Sequence, residues 1–119
     1  AKGGRGRVGS HREGERAMSN VPVSLHPYFK VPEGKMDELK ALLPRFAERV
    51  PSEEGNIIYD FTICGDQVHC REHYKDAEAV LAHVKNVGDI LQEATKIAPI
   101  VRLEVHGPAA ELAKLKEPL

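Results

Sequence analysis

The chain has 119 residues, 41% of them hydrophobic and 29% charged, with a formal net charge of -1. That length fits one domain and that mix an ordinary globular protein, which excludes a collagen-like chain and a disulfide scaffold. The near-neutral charge gives no bulk field toward nucleic acid or membrane, and no apolar run approaches the about 18 residues of a membrane span. The N-terminus lacks a hydrophobic h-region, so no secretory signal is expected. The expectation is a cytoplasmic protein whose small core gains from a partner subunit.

The charge is uneven. Lys2, Arg5, Arg7, Arg12 and Arg16 stand against Glu13 and Glu15, a net of +3 that leaves -4 on residues 21–119. Five glycines fall in the first seventeen residues, where Val8 is the one apolar residue larger than Ala. Residues 1–20 are therefore expected to be a disordered leader or tag. Met18 is a candidate natural start. The Gly3-Gly4-Arg5-Gly6-Arg7 run is of a kind that can bind RNA loosely, but no nucleic-acid partner is expected.

Residues 21–31 predict a first strand. Val23, Leu25, Phe29 and Val31 share one parity, and Pro22 and Pro27 imply an edge or a bend. A helix follows over 35–50, with Met36, Leu39, Leu43, Phe46 and Val50 as its apolar stripe. Pro44 predicts a kink or a split within it. Strands over 56–64 and 67–75 are joined by the tight-turn signal Gly65-Asp66. That turn pairs Cys64 with Gln67 and sets Cys70 opposite Phe61, so the two cysteines are expected to be free thiols. Helices over 76–86, with Asp76 as N-cap, and 89–98 lead to a fourth strand over 99–106. Gly107-Pro108 opens a short terminal helix, so residues 21–107 form the domain and 108–119 a C-terminal helix and tail.

The order βαββααβ describes a ferredoxin-like α+β sandwich with an antiparallel sheet. Helices cover one face. The other carries Ile58, Asp60, Thr62, His69, Arg71, His73, Arg102, Glu104 and His106, a mixture that points to a homodimer through the sheet face. The string His69-Cys70-Arg71-Glu72-His73 resembles a metal motif. On a strand its two histidines stand about 13 Å apart and Cys70 points the other way, so no metal site is expected.

Chemistry is expected on the covered face. His83 falls in one arc with Val80, Val84 and Val87, which turns an imidazole toward the sheet. Glu72 faces the same interior between Cys70 and Tyr74, and buried carboxylates are rare unless paired. Glu72 either pairs with His83 or caps a backbone group. Tyr59 and Tyr74 add two phenols on that side. A His, a Glu and two Tyr among Ile, Val and Phe side chains suit a small aromatic ligand.

Two stretches carry a family resemblance: Glu54-Gly55-Asn56-Ile57-Ile58-Tyr59-Asp60-Phe61, and Glu72-His73-Tyr74-Lys75-Asp76-Ala77-Glu78-Ala79-Val80-Leu81-Ala82-His83. With the opening Phe29-Lys30-Val31-Pro32-Glu33-Gly34-Lys35, they resemble the antibiotic biosynthesis monooxygenase superfamily over roughly residues 24–106. The resemblance implies a dimeric α/β barrel with one pocket per subunit. Members include cofactor-independent oxygenases of polycyclic phenols, quinol monooxygenases, haem-degrading enzymes and enzymes processing a quorum-sensing sugar derivative. The haem-degrading branch uses an Asn on strand one, a Trp on strand three and a His on the helix. This chain has His83 for the helix His but departs from that set in having His26-Pro27 and Tyr74 where the Asn and the Trp would lie.

The expected function is a cofactor-independent monooxygenase acting on a quinol- or polyphenol-like molecule and O₂. His83 removes a proton, as imidazoles suit near neutrality, and Glu72 orients it. Tyr59, Tyr74, Asn56, His26 and Phe61 are the expected substrate contacts. An isomerase using the same base, or a non-catalytic dimeric metabolite-binding or stress-response module, is the alternative.

Overall fold

The computed structural model describes residues 22–119. The expectations for the Gly/Arg-rich leader and Met18 lie outside the described residues. The elements are β1 (Val23–Lys30), α1 (Met36–Arg49), a 3-10 turn (Val50–Ser52), β2 (Asn56–Cys64), β3 (Gln67–Tyr74), α2 (Ala77–Asn86), α3 (Gly88–Ile97), β4 (Ile100–His106) and α4 (Ala109–Leu115). The four strands form one antiparallel sheet in the order β2-β3-β1-β4. This is the α+β, ferredoxin-like architecture that the element order predicts.

Period-two alternation fixes which side chains face the helices. In β1, Val23, Leu25, Pro27 and Phe29 are buried while Ser24, His26 and Tyr28 between them are half-buried. Gly65 turns the β2–β3 hairpin with φ +60, a conformation that glycine adopts without a Cβ penalty. The register pairs Cys64 with Gln67 and Phe61 with Cys70, and both thiols are free.

Helix α1 runs without interruption through Pro44, rather than splitting there. A mid-helix proline costs about 3 kcal/mol. Packing offsets it: Pro44 is exposed while Leu39, Leu42 and Phe46 face the core. The buried stripe uses Leu42, with Leu43 only half-buried. Two bidentate pairs, Arg45 with Glu93 and Arg49 with Asp89, tie α1 to α3 at 2.9–3.0 Å. Asp76 caps α2, its Oδ1 accepting from the Ala79 N–H at 2.8 Å.

The core divides in two. One cluster lies under α1 and α3 around Phe29, Leu39, Phe46, Val68 and Ile90. The other lies under α2 and α4 around Val23, Leu25, Tyr74, Val80 and Leu115. Among the described residues, Glu72 and His83 are the buried carboxylic acid and the buried imidazole, each 3% exposed, and belong to neither cluster. No helix among the described residues is long and apolar enough to cross a membrane.

Candidate active site

Helix α2 turns His83 down onto the sheet, where each ring nitrogen meets a carboxylate. Nδ1 is 2.9 and 3.0 Å from the two oxygens of Glu53. Nε2 is 3.3 Å from Oε1 of Glu72. Glu72 Oε1 also accepts a 2.6 Å hydrogen bond from the Tyr74 hydroxyl. Glu53 in turn accepts from the Asn86 amide at 2.8 Å, and the same amide donates to the Arg49 carbonyl at 3.1 Å.

Gly55 makes this arrangement possible. It is buried, its carbonyl accepts from the Lys75 N–H at 2.9 Å, and a Cβ there would overlap the Ala79 methyl. The loop ahead of β2 therefore lies directly on α2 and delivers Glu53 beneath His83. Glycine at such a site allows one backbone to approach another closely.

An ionised Glu53 can only accept, so Nδ1 carries the proton toward it. Nε2 then faces Glu72 Oε1 at 3.3 Å, so a proton placed between the two would sit either on the imidazole, as an ion pair, or on the carboxyl, facing a neutral ring. Burial pushes the Glu72 pKa above the ordinary carboxylate range. The His83 charge and hydrogen bonds from Tyr74 and Cys70 pull it partly back, and the Glu53 charge adds to the rise. Desolvation, followed by the neighbouring charges, pushes up the Tyr59 phenol, the Cys70 thiol and the Tyr74 phenol as well. These three remain neutral near pH 7.

The pair borders a cavity of about 110 Å³ between the sheet and the helices. Its apolar walls include Phe29, Phe46, Phe61, Val84, Leu91 and Leu103, with Tyr59, Cys70, Glu72 and His83 at one end. A cavity of about 150 Å³ accommodates benzene in an engineered protein core, so this space matches a single ring. The Tyr59 ring lies 5.1 Å from that of His83 and meets Phe61 edge-on at 5.4 Å.

The expected site residues divide. His83, Glu72, Tyr59 and Phe61 meet at the cavity. Tyr74 stands behind Glu72, with its ring 5.2 Å from that of His83 and packed in the second core cluster. It holds the carboxylate and does not line the cavity. Asn56 turns away, donating to the Ile58 carbonyl at 3.1 Å and lining a separate surface depression with Glu53 and Tyr59. His26 lies on the opposite face of the sheet, where its ring stacks 5.6 Å from that of His69. Alternation forbids any other place for it, because its neighbours Leu25 and Pro27 line the cavity. Glu53, which sequence reasoning missed, meets Nδ1 of His83, while Glu72, expected to orient the ring, meets Nε2. Among the described residues no three His, Cys, Asp or Glu side chains are arranged to hold a metal ion.

The family model described as antibiotic biosynthesis monooxygenase matches residues 22–88. MupZ from Pseudomonas fluorescens is 43% identical, with a TM-score of 0.80 over 84% of this chain and 78% of that one. A conserved protein from Methanosarcina mazei Go1 shares the fold at 16% identity, TM-score 0.70, over 78% of this chain and 98% of its own. Rv0793 from Mycobacterium tuberculosis does so at 20% identity, TM-score 0.65, over 73% and 94%. No curated protein sequence matches. With the sheet, the helices and more than half of the sequence in agreement, the chain belongs to the antibiotic biosynthesis monooxygenase family.

Proposed function

We propose that this protein is an enzyme that moves a proton on a small, largely apolar molecule held in the covered cavity. The single observation that carries this reading is the buried Glu72–His83 pair, 3.3 Å apart at the wall of that cavity. Perturbed ionisable groups placed beside an apolar pocket are the usual signature of acid–base catalysis.

In the form the family favours, the substrate is a monocyclic quinol or a comparable enol. The ionised pair removes its proton. The electron-rich anion then reacts with O₂ to form a carbon-bound hydroperoxide, and the removed proton returns to the peroxide oxygen. Loss of water leaves a carbonyl. One oxygen atom stays in the product and the other departs as water, with the substrate itself supplying the electrons. Tyr59 and Phe61 line the space for the ring, Glu72 and His83 handle the proton, and Tyr74 holds Glu72 in place. Proton transfer without O₂, as in an isomerase, is the second reading. It is favoured by the raised Glu72 pKa, which equips that carboxyl to act as an acid as well as a base.

A second copy covering the open sheet face completes the proposal. It is supported by His69, whose Nε2 is shielded from solvent without a hydrogen-bond partner, and by the Tyr28 ring stacked 4.6 Å from that of His69. Sedimentation should show a dimer, and a Tyr28→Arg variant should shift it to monomer.

Oxygen uptake with a panel of substituted benzene-1,4-diols tests the reaction. Uptake with carbonyl product, lost in His83→Ala protein that still unfolds cooperatively, is the expected result. Product formation without oxygen uptake would select the isomerase reading. Full activity in His83→Ala would refute both.

A further inference from the structure

We infer that Glu53 is a positioning residue that links the buried proton pair to water through the side of the protein facing away from the cavity. The inference rests on the proton-transfer reading and names the route by which that site exchanges protons while a ligand fills it.

The geometry is a line of three groups. Glu72 and His83 meet at 3.3 Å through Nε2, and His83 and Glu53 meet at 2.9 Å through Nδ1. An imidazole can accept a proton on one nitrogen while releasing another from the opposite one. Glu72 hands its proton to Nε2, and the Nδ1 proton passes to Glu53. The ring is neutral before and after, having changed tautomer. The charge that began on Glu53 ends on Glu72. Run in reverse, the path returns a proton to Glu72.

The outer end of the line differs from the inner end. Glu72 borders the apolar cavity, where a bound ring would seal it from water. Glu53 lines a separate depression with Ala47, Val50, Pro51, Asn56 and Tyr59, and Ala47 and Pro51 are exposed there. Tyr59 borders both spaces and forms the partition between them. Its phenol, like the Tyr74 phenol and the Cys70 thiol, stays neutral. The other polar neighbour of Glu53, Asn86, donates to it and does not titrate. The described chain thus brings two carboxylates to one imidazole, one toward the ligand space and one toward solvent.

The test is nuclear magnetic resonance of histidine labelled with ¹⁵N in the intact protein, with the His83 signals identified by their loss in His83→Gln. Water exchange of the His83 ring N–H should slow by about tenfold or more in Glu53→Gln, which keeps the shape but cannot carry the proton. Partial recovery is expected in Glu53→Asp. A purely structural Glu53 would give the opposite sign: loosening the loop would leave exchange unchanged or faster, and that result overturns the inference. Where a benzene-1,4-diol is turned over, Glu53→Gln should lower kcat by about a hundredfold and alter the pH–rate profile, with KM within about threefold. An unaltered kcat and pH profile would also overturn it. Should the wild-type protein turn over no diol, the proposed reaction fails by itself, while the exchange measurement still decides the conduit.

Discussion

The two faces of the sheet hold similar side chains and use them differently. On the open face, His26, His69, His73 and His106 lie among Asp60, Arg71, Arg102 and Glu104. Their links are half-solvated pairs, such as Arg71–Asp60 at 2.9 Å and His106–Glu104 at 3.3 Å. On the covered face, one histidine and two glutamates are almost entirely withdrawn from water, with side chains 4–7% exposed. The charges on the open face stabilise each other: the His106 hydrogen bond and the Arg102 charge hold Glu104 below the usual carboxylate range. Burial on the covered face acts the other way and raises Glu72. His26 is partly withdrawn, and burial together with the other imidazoles pulls its pKa down. Burial therefore separates the proposed proton-transfer site from the proposed assembly surface, although their residue types are the same.

The comparison can be broken first at Gly55. A Gly55→Ala side chain would collide with Ala79, costing about 1–3 kcal/mol of stability as overpacking. Because the same loop carries Glu53, turnover should fall further than the stability loss explains. Denaturant melts and initial rates on the same preparation check this. Next is Tyr74→Phe, which deprives buried Glu72 of its 2.6 Å donor. It should cost about 1–2 kcal/mol and push the Glu72 pKa higher, displacing the acid limb of the pH–rate profile upward.

Glu72→Gln sharpens the comparison through pH. A carboxyl whose folded pKa is raised contributes stability below its unfolded pKa of about 4.3 and loses it as pH rises through the folded value. The variant should therefore gain in melting temperature relative to wild type as pH increases above about 4.3. A gap independent of pH would mean that Glu72 is not displaced from its ordinary range. The smallest effect belongs to the open face: Asp60→Asn should alter stability by less than about 1 kcal/mol, measurable by denaturant melts.

The fold was legible because each strand alternates and Gly65-Asp66 sets the hairpin register. Those patterns fixed the pairing of Cys70 with Phe61 and the inward aim of Glu72, and the helical period did the same for His83. Alternation also places His26 beside Ser24 and Tyr28 on the open face. Its expected role at the substrate followed the position of a relative's strand-one asparagine and disregarded that parity. Glu53 had no comparable signal. It lies in a loop without a period, beside Glu54, and only the close approach of Gly55 to α2 decides which of the two turns inward. The continuity of α1 through Pro44 was equally hidden, because the tertiary contacts that offset the proline come from α3.

The most direct test of the central claim compares kcat/KM, on the same benzene-1,4-diol, for Glu72→Gln on the covered face and His73→Ala on the open face, with the oligomeric state of each variant checked. A loss of about a hundredfold or more is expected for the first and a change within about twofold for the second. Equal losses, or full activity in Glu72→Gln, would contradict it.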